Sequence, residues 1–293
     1  MSAEDSITEL PADGEDRFVI VRGVRLRYVD WGGDGPLMLL QHGDMRTARS
    51  WDAMVRDIRH DFHVLSLDAK GHGDSEWPTE GYKFSERVQD LEAFCDTLGL
   101  RNIHGVGHSS GGVVMSLLAD SRPDIFSRLT LLEPMVTVGE EFQRMVSKRA
   151  EGPRRTWPDR PTLYEYLKAH PVTGRWRDDV IRDVVAHEAM ELPDGSLDMK
   201  WATASMDWGE REGDYVDLNP ILWRLGIPIM FIMSDERRHE RPFSGLDRMS
   251  QELPAFNVIT INDSSHNMYM NRPSAVSGAI QAFVRGETLP GAV

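Results

Sequence analysis

The chemistry in this chain starts from one serine and one histidine. Ser109 is centred in Gly107-His108-Ser109-Ser110-Gly111, and His266 lies far downstream in Asn262-Asp263-Ser264-Ser265-His266-Asn267. A serine hydroxyl is a weak nucleophile at neutral pH and needs an adjacent base. A free imidazole titrates near 6.5, so it can take the serine proton during attack and return it to the leaving group. Glycines two positions either side of the serine are what a sharp strand-to-helix turn requires, because larger side chains would collide there. Ser110 does not compete as nucleophile, since the same pattern centred on it would need glycine at position 108, which is histidine. The turn also sets Ser109 at a helix N-terminus, where amide dipoles favour developing negative charge.

A second segment, Gln41-His42-Gly43-Asp44, follows a buried-strand pattern and has a glycine that permits close approach to the nucleophile. The backbone N–H groups of Asp44 and Ser110 are the expected oxyanion-hole donors, each such donor supplying about 3 to 4 kcal/mol of transition-state stabilisation. His42, His72 and His108 fall in expected turns, where satisfying local hydrogen bonds or lining a pocket is their expected role. His104 and His108 have the spacing of zinc ligands on a helix, yet they fall in a strand and a turn. No metal and no cofactor is expected.

These groups need strand ends to hold them, and the pattern supplies strands. Phe18 to Val21 and Val24 to Val29 read as a hairpin, followed by strands at Leu37 to Leu40, Phe62 to Leu67, Asn102 to Val106 and Leu129 to Leu132. Helical runs alternate with them at Thr47 to Ile58, Phe84 to Leu98 and Ser110 to Ala119. The alternation predicts a mostly parallel eight-stranded α/β sheet with helices on both faces. From Val136 to Asn219 the pattern turns polar and helical with no clear strand, and carries Trp157, Trp176, Trp201, Trp208, Met145, Met190, Met199 and Met206. Strand Ile227 to Met233, a helix around Gly245 to Glu252, strand Phe256 to Ile261 and helix Pro273 to Val284 then resume the alternation. The expected organisation is an acidic, flexible leader (1–16), a core (17–135 and 220–288) and an inserted helical cap or lid (136–219).

Composition narrows the function classes. With 33 basic and 47 acidic residues the formal charge is -14, which opposes binding to nucleic acid or anionic lipid. Cys95 is the only cysteine and falls in a helical run, so no internal disulfide forms. The first residues lack a basic segment followed by an apolar one, and no run is long and apolar enough to span a membrane, so a cytoplasmic protein acting on a small molecule is expected.

In order, His42-Gly43, Asp68-Ala69-Lys70-Gly71-His72-Gly73-Asp74-Ser75, the Ser109 segment and the His266 segment resemble the α/β-hydrolase superfamily over nearly the whole chain outside leader and lid. The family usually has arginine where Lys70 stands, a charge-preserving departure. The resemblance implies chain order nucleophile, acid, histidine. It also places an aspartate three residues after a glycine ending the seventh strand, where this chain has Ser234 and Arg237. Arginine cannot accept the imidazole N–H, so the acid comes from elsewhere: Glu133 at the end of the sixth strand, or Asp235, or Glu236. Glu133 is preferred because it resembles the station from which some haloalkane dehalogenases and the zearalenone lactonases draw their acid.

Dehalogenases and epoxide hydrolases of this fold use aspartate at the nucleophile, so Ser109 speaks against both activities. The expectation is hydrolysis of a carboxylic ester or lactone of a small, largely apolar substrate, since tryptophans and methionines give adaptable contact area. A carbon–carbon bond hydrolase, a non-hydrolytic binding protein and a cofactor-free oxygenase or lyase are the alternatives on this scaffold.

Overall fold

The computed structural model describes residues 14–151, 153–206, 215–238, 243 and 245–293. Eight strands form one sheet: β1 (Glu15–Val21), β2 (Val24–Asp30), β3 (Leu37–Gln41), β4 (His63–Leu67), β5 (Ile103–His108), β6 (Phe126–Leu132), β7 (Ile229–Ser234) and β8 (Phe256–Ile261). Their order is β1-β2-β4-β3-β5-β6-β7-β8. β2 runs antiparallel to β1 and β4, and every other pairing is parallel. The strands β3 to β7 are short apolar runs buried on both faces, as parallel strands covered by helices must be.

Helices α1 (Asp52–Ile58), α2 (Phe84–Thr97), α3 (Ser110–Ser121) and the C-terminal Pro273–Arg285 flank the sheet. Two apolar cores result. Trp51, Met54 and Ile280 belong to one, and Phe94, Met115 and Phe231 to the other. The expected helix from Thr47 is two elements: a 3₁₀ turn, Ala48–Trp51, capped by the Thr47 hydroxyl, then α1. Among the described residues no helix is long and apolar enough to cross a membrane.

Two expectations are corrected. Residues 1–13 of the expected leader lie outside the described residues, as does Trp208, but Glu15 and Asp16 are already strand, paired with Asp30 and Val29. The acidic run that reads as a leader is partly a set of cross-strand and loop ion pairs: Asp16 holds Arg27 at 2.9 Å and Arg49 at 2.7 Å. The stretch between β6 and β7 also contains strands. Thr137–Val138 pairs with Val216–Asp217 where the insertion leaves and rejoins the sheet, and Ala189–Glu191 pairs with Leu197–Met199. The second ribbon closes over Leu192-Pro193-Asp194-Gly195-Ser196, with Gly195 at a φ of +83°. Runs of two or three residues are too short to show alternation, although Pro-Asp-Gly is a turn signal.

The longer described elements of the insertion are helical: Glu140–Ala150, Arg160–Ala169, Asp178–Asp183 and a wide π-helical turn, Val184–Glu188. Trp157, Leu163, Trp176 and Ile181 share one core with Trp51 and Met54, and Asp183 grips Arg56 of α1 through two hydrogen bonds of 2.6 and 2.8 Å.

Candidate active site

Ser109 stands between the end of β5 and the start of α3 with φ +51° and ψ -122°, a strained conformation for a residue with a side chain. The surrounding glycines are sterically required. A Cβ on Gly107 would lie 2.6 Å from the Gly112 Cα, and one on Gly111 would lie 2.4 Å from the His42 carbonyl oxygen. Gly43 is equally confined, because a Cβ there would come within 2.9 Å of the Ser109 Cβ. The loop after β3 is therefore pressed against the nucleophile turn.

Asp44, Ser109 and His266 border one cavity of about 640 Å³, walled by Met135, Met145, Met206 and Trp176. Residues from the insertion thus roof a site whose floor is the strand ends. Ser110 is fully buried as the first residue of α3. One guanidinium ties both expected oxyanion donors together: Arg87 on α2 donates to the Asp44 carboxylate at 3.1 Å and to the Ser110 hydroxyl at 3.2 Å. The loop and the helix start are held in fixed relation by that fork.

Glu133 lies one residue beyond β6, at φ +40°, and is 1% exposed. Its Oε2 accepts the Nδ1–H of His266 at 2.7 Å. Its Oε1 accepts the Ser234 backbone N–H at 2.7 Å and the Ser234 hydroxyl at 2.5 Å. Arg237 donates to Oε2 at 3.3 Å and lies 3.0 Å from the same imidazole nitrogen. Burial by itself would raise the pKa of Glu133; the hydrogen bond and charge of His266, the Ser234 hydroxyl and the Arg237 charge outweigh it and hold the carboxyl below its usual range.

The alternative acids are engaged elsewhere. Asp235 accepts the backbone N–H groups of Glu236, Asp263 and Ser264, bracing the loop that carries His266. Glu236 is paired with Arg175 of the insertion. With both so engaged, Glu133 is the one of the three carboxylates that bonds the imidazole. By position in the sequence Arg237 occupies the usual acid station. The structure makes it a partner of Glu133 one strand over, and its placement three residues after Ser234 is the available signal.

The other histidines brace loops. His42 donates from Nδ1 to the Gly43 carbonyl and accepts the Ala69 N–H, and His72 donates to the Lys70 carbonyl and accepts the Met45 N–H. His108 donates from Nε2 to the His266 carbonyl at 2.9 Å, and burial, with His266 beside it, keeps it neutral. His104 instead bonds Thr130 at 2.9 Å, so the two share no ligand position. Asp68 accepts from the Ala48 and Asp74 amides and from Arg27, a structural knot. Lys70 pairs with Asp90 at 2.8 Å. Among the described residues one trio, Asp52, Asp183 and His187, gathers metal-ligand atoms within 4.8 Å of one another. Arg56 on Asp183 and Arg49, 3.7 Å from Asp52, already supply positive charge there.

Comparison with known proteins places this geometry. A family profile described as "Alpha/beta hydrolase family" matches residues 37–279. Epoxide hydrolase 4 of Mus musculus is 32% identical over 138 residues, covering 45% of this chain and 38% of that protein. The chain thus matches well under half the length of that relative. A 2-(acetamidomethylene)succinate hydrolase of Mesorhizobium japonicum is 23% identical over 255 residues, covering 86% of this chain and 89% of its own. The solved structure of an E-2-(acetamidomethylene)succinate hydrolase superposes with a TM-score of 0.80 at 22% identity, over 93% of this chain and 99% of that one, which speaks to fold alone.

Proposed function

The chain belongs to the alpha/beta hydrolase family, and from that premise we propose that it hydrolyses a carboxylic ester or lactone through an acyl-enzyme on Ser109. The observation that carries the reading is the 2.7 Å hydrogen bond from His266 Nδ1 to the buried Glu133. With its Nδ1 proton engaged, the imidazole presents an unprotonated Nε2 to the cavity. That nitrogen takes the Ser109 proton as Oγ attacks the substrate carbonyl. The backbone N–H groups of Asp44 and Ser110 receive the charge of the tetrahedral intermediate. His266 then protonates the departing alcohol; a water, deprotonated by the same nitrogen, releases the acid and restores Ser109. Glu133 stabilises the transient imidazolium without taking its proton.

Relatives named as epoxide hydrolases and a fluoroacetate dehalogenase match part of the chain. Fold relatives with those activities carry aspartate at the nucleophile, whereas this chain has Ser109. The test is a panel of 4-nitrophenyl esters and aryl lactones. Ser109→Ala and His266→Ala should each lower kcat by roughly 10⁴-fold or more. Unchanged turnover in both variants would end the proposal.

A further inference from the structure

The cavity's charged lining is unevenly partnered. Asp44 is taken by Arg87, and Arg237 by Glu133. Arg46, two residues beyond Asp44 in the same loop, is the exception. Its Nε donates to the Met45 carbonyl at 2.8 Å, and its guanidinium stacks 5.1 Å above the Trp176 ring at the cavity wall. Its Nη1 is buried without a hydrogen-bond acceptor. The nearest countercharge is Glu188 Oε2, at 3.6 Å, beyond hydrogen-bond length. No further protein acceptor for Arg46 occurs among the described residues.

Glu188 is a weak counter-ion for a physical reason. It ends the π-helical turn of the insertion, is 1% exposed, and neither of its oxygens accepts a hydrogen bond. Burial, with Asp68 and Asp183 nearby, raises its pKa to about 7 despite the attraction of Arg46. The Trp176 indole N–H is a second buried donor without an acceptor at this corner. A guanidinium that is 12% exposed at the cavity and has an incomplete set of acceptors is poised for a planar anion.

We infer that Arg46 is the recognition site for a free carboxylate on the substrate, so that the site takes esters bearing a second, unesterified carboxylate, such as half-esters of short dicarboxylic acids. The inference rests on the acyl-enzyme reading for the word ester, and on Arg46 alone for the word carboxylate. Because Arg46 and the Asp44 amide share one loop, the carboxylate binds on the oxyanion side of Ser109, and the scissile carbonyl is oriented by its far end.

Two measurements separate the two readings. The first is the ratio of kcat/KM for 4-nitrophenyl hydrogen succinate to that for 4-nitrophenyl butyrate. Arg46→Met should lower this ratio about 10- to 100-fold, the range of a charge-assisted hydrogen bond, and Arg46→Lys should restore part of it. The second is calorimetric titration of succinate into the Ser109→Ala protein. Binding that disappears in Ser109→Ala/Arg46→Met supports the subsite even if neither ester is turned over by the wild type, in which case only the acyl-enzyme reading has failed. Succinate binding unaffected by Arg46→Met overturns the subsite whatever the ester kinetics show. Glu188→Gln, which removes the competing carboxylate and leaves Arg46 in place, should raise succinate affinity several-fold; a fall would show that the pair serves only to hold the loop.

Discussion

Two glutamates, each 1% exposed, one against His266 and the other near Arg46, behave in opposite ways. Glu133, on the strand ends, accepts from His266, from the backbone and hydroxyl of Ser234, and from Arg237. Its pKa is lowered. Glu188, at the end of the insertion's π-helical turn, accepts nothing, and its pKa rises to about 7. Burial is common to both, so the donors decide the charge. A buried carboxylate remains an anion when several N–H and O–H groups replace its lost water, and tends toward the neutral acid when they do not. The sheet supplies such donors because adjacent parallel strands end side by side; Glu188 on the insertion has near it only the Arg46 guanidinium of the loop after β3, at 3.6 Å.

The largest effect expected from breaking this contrast is on catalysis. Glu133→Gln keeps the shape but presents a neutral amide to His266, and should lower kcat on a responsive 4-nitrophenyl ester about 10³- to 10⁴-fold. A change under tenfold would remove Glu133 from the mechanism.

Next comes the pH dependence of stability, where the two residues should slope in opposite directions. Glu133 has a folded pKa below 4.5, so its stabilising contribution is complete above that value and is lost as pH falls through the folded pKa. Glu188 has a folded pKa of about 7 against 4.5 unfolded, so ionisation of the unfolded chain progressively opposes folding between those values, by about 3 kcal/mol when complete. Thermal midpoints of Glu188→Gln should therefore gain on the wild type as pH rises from 5 to 7, and level off above. A constant difference over that window would show Glu188 to be ionised throughout.

Smaller still is the expected effect of Arg237. Arg237→Met leaves Glu133 with His266 and Ser234 but removes a positive charge, and should cost about tenfold in kcat, with partial rescue by Arg237→Lys. Loss as large as that of Glu133→Gln would mean that Arg237 holds the glutamate in place. Smallest is Asp235→Asn, expected to change kcat only a few-fold because Asp235 braces the His266 loop through backbone amides. If it proved worse than Glu133→Gln, the acid assignment would be reversed.

Much of this contrast was legible in the sequence on one side and invisible on the other. The nucleophile turn could be read because its constraints are local: Gly107, Ser109 and Gly111 must be what they are within one turn, and a Cβ at either glycine would strike backbone. The alternation of strands and helices, too, is a local periodicity, and the sheet follows from it, including the sixth strand that ends just before Glu133. The short ribbons of the insertion escaped because two or three residues carry no period.

By itself, then, the sequence determined the family fold, and it nominated the serine, the histidine and a short slate of acids. Tertiary structure shows which of Glu133, Asp235 and Glu236 meets the imidazole: strand order puts β6 beside β7, and Glu133 bonds His266. It also revealed what no motif announces: Arg87 joining two loops, Arg237 recruited to the acid it displaced, and Arg46 facing an unsatisfied glutamate from a distant insertion. The division has a single cause. Backbone strain and periodicity act between neighbours in the chain, whereas the charge state of a buried carboxylate depends on donors brought from residues far away in sequence.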